Sequence, residues 1–351
     1  MTKFFAGCRK TLICAAVPLV LLALPLHAAD FTFGIYGVST PEQLRDAATA
    51  GFNVIQSYEN DPAKLSALAA EAKRLGVSLL IPPDKIIGSS YQKAASRWPV
   101  KAWYIFDEPD VAGISAAQLR QKDAEVKAAL PAQRTAFVTG QGSAVAAFGT
   151  AADIVMTDWY PVPHMPAETV GREIAIARSS LDALHLKGKP LWAVLQAFDW
   201  RTYPQKNPSK PRIGRLPTAD ELRLMTYSAV LRGASGVFYF TYAQASAPQL
   251  WLPLQSLSRE MHSVGTALSE GTPFDTGLTS SSSVLLIEGR RRWFKKYIVV
   301  INTSPDYAAL LPRELVVGKK WRPLFESSRY PARFLINGRY LRPLGVLVFE
   351  R

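Results

Sequence analysis

The sequence predicts a (β/α)8 TIM barrel followed by a small, sandwich-like C-terminal antiparallel β domain. Three observations carry that prediction. From Phe31 to Glu270 the chain alternates eight times between a short apolar run and a helical pattern, the count and length of a closed parallel barrel of roughly 240 residues. Helix starts and stops fall where capping chemistry puts them: Thr40-Pro41 and Thr218 open two helices, and Gly51, Gly76, Gly188 and Gly233 follow others. After Gly271 the helical period disappears and short β-rich runs remain, separated by Gly, Pro, Asn and Asp. The expected bounds are residues 30–274 for the barrel and 275–351 for the β domain.

In chain order, the strand-like runs are Phe31–Val38, Phe52–Tyr58, Val77–Pro82, Val100–Phe106, Arg134–Thr139, Asp153–Trp159, Pro190–Phe198 and Gly236–Tyr242. Each is apolar and of strand length. The helical patterns that follow them are Pro41–Ala50, Pro62–Leu75, Tyr91–Trp98, Ala116–Leu130, Ser143–Ala151, Ala167–Leu186, Ala219–Arg232 and Leu254–Glu270. A doubly wound sheet would carry a Gly-rich phosphate turn after its first strand, where Ile35-Tyr36-Gly37-Val38 stands instead. Beyond the polar joint Thr279–Ser283, the expected β runs are Val284–Ile287, Tyr297–Asn302, Trp321–Phe325, Arg333–Ile336 and Gly345–Phe349.

The 351 residues are 48% hydrophobic and 20% charged, which excludes a disordered chain, a collagen-like fibre and a multi-span membrane protein. The first 29 residues read as a secretory signal peptide: Lys3, Arg9 and Lys10, then apolar Thr11–Leu26, then small residues before Asp30. Pro18 and Pro25 argue against an uncleaved helical anchor. Both cysteines, Cys8 and Cys14, leave with that signal, so the mature protein relies on no disulfide. The expectation is an exported, monomeric protein, periplasmic or extracellular, without a transmembrane anchor.

A barrel of this kind gathers its active site at the carboxyl ends of its strands. Those ends carry Tyr36, Tyr58 with Glu59, Asp84, Asp107-Glu108-Pro109, Gln141, Asp158-Trp159-Tyr160-Pro161, Gln196 with Asp199 and Trp200, and Tyr239 with Tyr242 and Gln244. Acids and amides hydrogen-bond hydroxyls, and aromatic rings cover the C–H faces of a pyranose, so the set fits a sugar-binding cleft. Tyr36, Tyr58, Tyr160, Gln196, Trp200 and Tyr242 are the expected substrate-binding residues. His164, His185 and His262 stand alone, so no metal site is expected. No Gly-rich phosphate loop and no strand-end lysine points to an organic cofactor either.

Asp107-Glu108-Pro109 is the sharpest local signal. Glycoside cleavage needs a protonated acid for the leaving oxygen and a second group for the oxocarbenium-like carbon. Glu108, over an apolar floor expected from Trp103, Ile105 and Phe106, suits the acid role. The structural alternative is a helix start, with Asp107 as its cap and Pro109 in its first turn. An acidic residue followed by Glu-Pro at the end of the fourth strand of an exported barrel resembles the TIM-barrel glycoside hydrolase superfamily. In its largest clan the fourth strand ends Asn-Glu-Pro and the seventh supplies a nucleophilic Glu. Here Asp107 replaces the Asn and Gln196 stands where the second Glu is expected. The adjacent Asp-Glu pair resembles instead the β-N-acetylhexosaminidases, in which the substrate's acetamido group is the nucleophile. That resemblance implies Glu108 as acid and Asp107 as the residue orienting the acetamide.

The second catalytic group therefore has ranked candidates: Asp107, then Asp158, then Asp199 and Glu59. Two basic clusters account for much of the +13 charge. One is the loop carrying Arg201, Lys206, Lys210, Arg212 and Arg215, expected to overhang the cleft and steer an anionic or envelope-associated glycan rather than nucleic acid. The other, Arg290-Arg291-Arg292 with Lys295-Lys296, reads as a solvated hairpin. A non-catalytic, lectin-like barrel is the alternative function; a lyase or esterase lacks a nucleophile elbow and a strand-end His.

Overall fold

A computed structural model describes residues 31–204, 209–280, 282–317, 320–325 and 335–351. The expected export signal with Cys8 and Cys14, Lys206, and Arg333 and Phe334 of one expected strand lie outside the described residues. Eight parallel strands close into a barrel in sequence order: β1 (Thr32–Ile35), β2 (Val54–Gln56), β3 (Ser78–Ile81), β4 (Val100–Asp107), β5 (Thr135–Thr139), β6 (Ile154–Trp159), β7 (Leu191–Gln196) and β8 (Gly236–Phe240). The (β/α)8 expectation holds. β1 pairs with both β2 and β8, which removes every free edge.

Strand residues alternate between two apolar layers. Tyr36, Val54, Leu80, Ala102, Tyr104, Ala136, Val138, Met156, Trp192, Val194 and Phe238 fill the barrel interior, while Phe33, Ile35, Ile55, Leu79, Ile81, Trp103, Phe137 and Leu195 join the outer shell under the helices. Large and small residues interlock in the interior. A methyl at Gly34 would stand 2.2 Å from the Phe238 ring, so Gly34 is the space that ring occupies.

Helix ends follow local chemistry. The side chains of Thr40, Ser115 and Thr218 accept backbone N–H groups at the starts of Pro41–Thr49, Ala116–Ala129 and Ala219–Leu231, the last two as full capping boxes. Two helices are shorter than expected. The third-unit pattern yields only Gln92–Ala95, and the fifth a 3-10 turn at Gly142–Ala144 followed by Val145–Phe148. The last barrel helix is longer, Pro248–Glu270, because Pro248 stands at its first turn and Pro253 is accommodated within it.

The C-terminal region forms two antiparallel sheets. The larger holds β9 (Thr272–Phe274), β10 (Leu285–Arg292), β11 (Lys295–Asn302), β13 (Arg322–Leu324) and β16 (Val346–Glu350), and the smaller β12 (Ala309–Leu310), β14 (Leu335–Ile336) and β15 (Tyr340–Leu341). The period of two divides its faces. Tyr297, Val299, Ile301, Val346 and Val348 pack into the core shared with the barrel helices, while Ile298, Val300, Leu347 and Phe349 pack with Ala309, Leu311 and Leu341 of the second layer. The β9 and β15 pairings were not anticipated, since three- and two-residue strands carry too little pattern to read.

Candidate active site

A cleft of about 330 Å³ opens at the carboxyl end of the barrel, lined by Tyr36, Tyr58, Asp107, Glu108, Val138, Asp158, Tyr160, Val194, Phe198, Trp200, Tyr203 and Phe240. Three of its walls come from different parts of the chain.

The acidic wall rests on a break in strand alternation. The β4–β5 register shifts between Tyr104 and Phe106, so Ile105 and Phe106 both face the outer shell. Asp107 thereby returns to the inside. Glu108 then adopts a left-handed backbone, φ 48° and ψ 63°, which brings it into the same cleft as its neighbour. A non-glycine residue there is strained by about 1–2 kcal/mol, a cost that clusters at functional sites. Its backbone N–H donates to Val138 O at 3.0 Å, and its carbonyl accepts from Val111 and Ala112. Asp110 secures the turn, accepting the Gly140 N–H at 3.1 Å. A methyl on Gly140 would stand 3.6 Å from Glu108 Oε1 and 2.9 Å from Val111 Cγ2, so glycine leaves this space to the turn.

This geometry corrects two expectations. The helix Pro109–Ala112 has Glu108 at its cap position without a side-chain cap bond, and Asp107 accepts no capping N–H there; its oxygens serve Tyr58 and Tyr104. Trp103, Ile105 and Phe106 are not the floor beneath Glu108, because they face the helices; Val138 and Val194 line the cleft instead.

Asp107 Oδ1 accepts the Tyr104 hydroxyl at 2.7 Å and Oδ2 the Tyr58 hydroxyl at 3.1 Å. Tyr36 extends this set, its hydroxyl 3.5 Å from that of Tyr104. Burial, then the charge of Asp107, holds the Tyr58 phenol well above its ordinary range, so it remains a donor. Asp158, at the end of β6, is buried and lines the cleft together with Glu108. Burial first, then the neighbouring Glu108 carboxyl, push the Asp158 carboxyl well above the ordinary carboxylate range.

The third wall is aromatic. Phe198 packs edge-on against Trp200 and Tyr203 at 4.9 Å each and against Tyr160 at 5.0 Å, with Phe240 behind them. The buried Trp200 Nε1 has no hydrogen-bond partner among the described residues. The Arg212 guanidinium lies 5.0 Å over the Trp200 ring.

Seven of the nine anticipated site residues thus meet in one cleft: Glu108, Asp107, Asp158, Tyr36, Tyr58, Tyr160 and Trp200. Two do not. Gln196 is fully buried; its amide donates to Val162 O and Phe198 O and accepts from Val162 N, so it clamps the two loops beyond β6 and β7. Tyr242 turns outward to Asp46 Oδ2 at 3.1 Å and packs on Trp251. The long shots are engaged as well: Asp199 accepts from Arg201, and Glu59 pairs with Lys64. Of the basic loop, Arg201 is held by Asp199 and Arg215 by Glu221, and Arg212 lies against the cleft wall over Trp200. Phe198, Tyr203, Phe240 and Tyr104 were missed. Tyr104 carried a signal, its interior parity on β4.

No protein-family model and no curated protein matches the sequence. Solved structures do match in fold. An α-amylase from Anoxybacillus superposes with a TM-score of 0.53 at 12% identity, covering 92% of this chain and 97% of that one. An acarbose-bound α-amylase from Geobacillus thermoleovorans gives 0.53 at 11%, covering 92% and 98%. An endoxylanase from Clostridium papyrosolvens gives 0.51 at 10%, covering 92% and 96%. The similarity spans barrel and β domain together.

Proposed function

We propose that the chain is an exported glycoside hydrolase that cleaves a poly- or oligosaccharide in this cleft, with Glu108 as general acid. One observation carries the reading: Glu108, Asp107 and Asp158 meet in a single aromatic-lined cleft at the carboxyl end of the barrel, where burial and the neighbouring Glu108 raise the Asp158 carboxyl. The fold shared with amylases and a xylanase supports the same reaction class. The leading 29 residues, with their basic start and apolar run, support export to the periplasm or beyond.

The chemistry follows from the arrangement. Asp158, raised by burial and by the neighbouring Glu108, carries a proton in the resting protein and passes it to Glu108, which delivers it to the glycosidic oxygen as the bond breaks. Asp107 faces the anomeric carbon, or the acetamido group of a substrate that supplies its own nucleophile, with Tyr58 and Tyr104 fixing its carboxylate. Trp200, Tyr203 and Phe240 cover the sugar face. Arg212 at the rim favours an anionic glycan.

The test is sugar release from a panel of bacterial and plant polysaccharides. Glu108→Gln should lose about 10²–10⁴-fold in kcat on natural glycans while binding them nearly as well. Activated aryl glycosides, which need little protonation, should lose less. A thiazoline mimic of the cyclised intermediate should inhibit if Asp107 orients an acetamide, with Asp107→Asn slowed on acetamido sugars. Full activity of Glu108→Gln on an unactivated glycan would overturn the assignment. A lectin-like barrel is the second reading, favoured by Gln196 at the seventh-strand position. Binding without release from any member of the panel would establish it.

A further inference from the structure

We infer that the tip of the β10–β11 hairpin is a docking element for an anionic lipid bilayer. The register pairs Arg292 with Lys295 and Arg291 with Lys296, so only Trp293 and Phe294 make the turn. They are 74% and 86% exposed, among the most exposed large hydrophobic residues of the protein. Beside them on the same sheet lie Arg322, which shares Glu350 with Lys295, and Arg351, whose backbone pairs with Lys296.

This tip departs from two local rules for a stable hairpin. A two-residue turn with positive φ at its first position calls for glycine, and Trp293 occupies it at φ 55°. Like charges directly opposite one another destabilise a ladder, yet two successive cross-strand pairs are basic on both sides. Glu270 and Glu350 offset only part of that charge, through Arg292 at 3.1 Å and through Lys295 and Arg322. Arg291 is exposed and Arg292 spreads over the Trp293 ring at 4.7 Å. Residues kept against local stability point to a use in the bound state.

The shape and chemistry select the occupant. A sugar platform is a flat or concave aromatic face, whereas these two rings stand on a convex tip, the form that inserts between headgroups. Trp and Phe sit at the bilayer interface, and surrounding Arg and Lys add attraction to anionic lipid. The orientation is defined too. Arg292 pairs with Glu270 and Arg290 donates to Leu231 O, the last residues of two barrel helices, which end at the face opposite the strands' carboxyl ends. Docking by this tip leaves the cleft open on the side away from the lipid. The inference is independent of the chemistry in that cleft.

The test is co-sedimentation of the purified protein with vesicles of phosphatidylglycerol and phosphatidylethanolamine, and with phosphatidylcholine vesicles. Binding should be confined to the anionic vesicles, fall as salt rises, and be accompanied by quenching of Trp293 by brominated lipid chains. The Trp293→Gly/Phe294→Ser variant should bind at least about tenfold more weakly while its melting temperature is kept or raised, because glycine relieves the strained turn. Unchanged binding by that variant would overturn the proposal, as would equal binding to neutral vesicles. Retention by a soluble anionic polysaccharide without vesicle binding would assign the tip to glycan. A self-association abolished in the variant, again without vesicle binding, would assign it to a second copy of the chain.

Discussion

At the scale of single residues, the site is defined by which carboxyl holds a proton. Asp158 is buried against Glu108, and its folded-state carboxyl titrates above the unfolded value. A folded state that keeps a proton the unfolded chain has released loses stability as pH rises. The loss begins near the unfolded carboxylate value of about 4 and continues until Asp158 ionises in the fold. Asp158→Asn removes that liability. Its thermal midpoint should therefore exceed that of the parent protein toward neutral pH and show a flatter pH dependence, while turnover falls because Glu108 has lost its proton source. Melting curves across pH for both proteins check the sign. A parent midpoint that rises through this range would place the proton elsewhere.

At the scale of elements, the end of β4 does the positioning. The register shift after Tyr104 restores Asp107 to the inside, the left-handed turn adds Glu108, and Gly140, just beyond β5, gives the turn its room. Gly140→Ala is the direct probe, because its methyl would stand 2.9 Å from Val111 Cγ2 and 3.6 Å from both Glu108 Oε1 and Asp110 Oδ2. A displacement of about 1 Å at a catalytic group costs up to about 10²-fold in rate, whereas a small local overpacking costs about 1–3 kcal/mol in stability. Kinetics and melting should show a large fall in kcat with a modest fall in midpoint. Equal turnover in the two proteins would mean that the turn tolerates the methyl and does not fix Glu108. The aromatic wall depends on elements in the same way, since Gln196 ties the loops that carry Tyr160 and Phe198.

At the scale of the whole molecule, barrel and β domain share one core. Every residue from Glu221 to Leu231 in the helix Ala219–Leu231 is buried, an environment that the barrel alone does not supply. Arg223 on that helix pairs with Glu260 at 2.9 Å, stacks on Tyr227 and donates to the Val346 carbonyl of β16. Removing one member of a buried pair strands the other, at about 3–5 kcal/mol. Arg223→Ala should lower the melting midpoint markedly with a single transition for far-ultraviolet ellipticity and tryptophan fluorescence alike. Two separate transitions would show that the units unfold independently. A chain ending at Gly271 should aggregate, since it exposes the face that Tyr297, Val299, Ile301, Val346 and Val348 cover.

By itself the sequence determined the eightfold strand–helix alternation, the change of grammar after Gly271 and the grouping of acids and aromatic residues at strand ends. Those signals are local: a period, a cap or a turn residue acts within a few positions, so its free energy is legible in a short window. Tertiary structure decided what depends on distant groups. Gln196 became a clamp because a loop 34 positions away brought its backbone to the amide, and Tyr242 turned from the cleft to an aspartate 196 positions earlier. The raised carboxyl is Asp158 because burial and the Glu108 charge meet there, and Asp107 faces inward because pairing with β5 shifted the register of β4. Desolvation and pairing belong to the surroundings of a side chain, and those surroundings exist only once the barrel has closed.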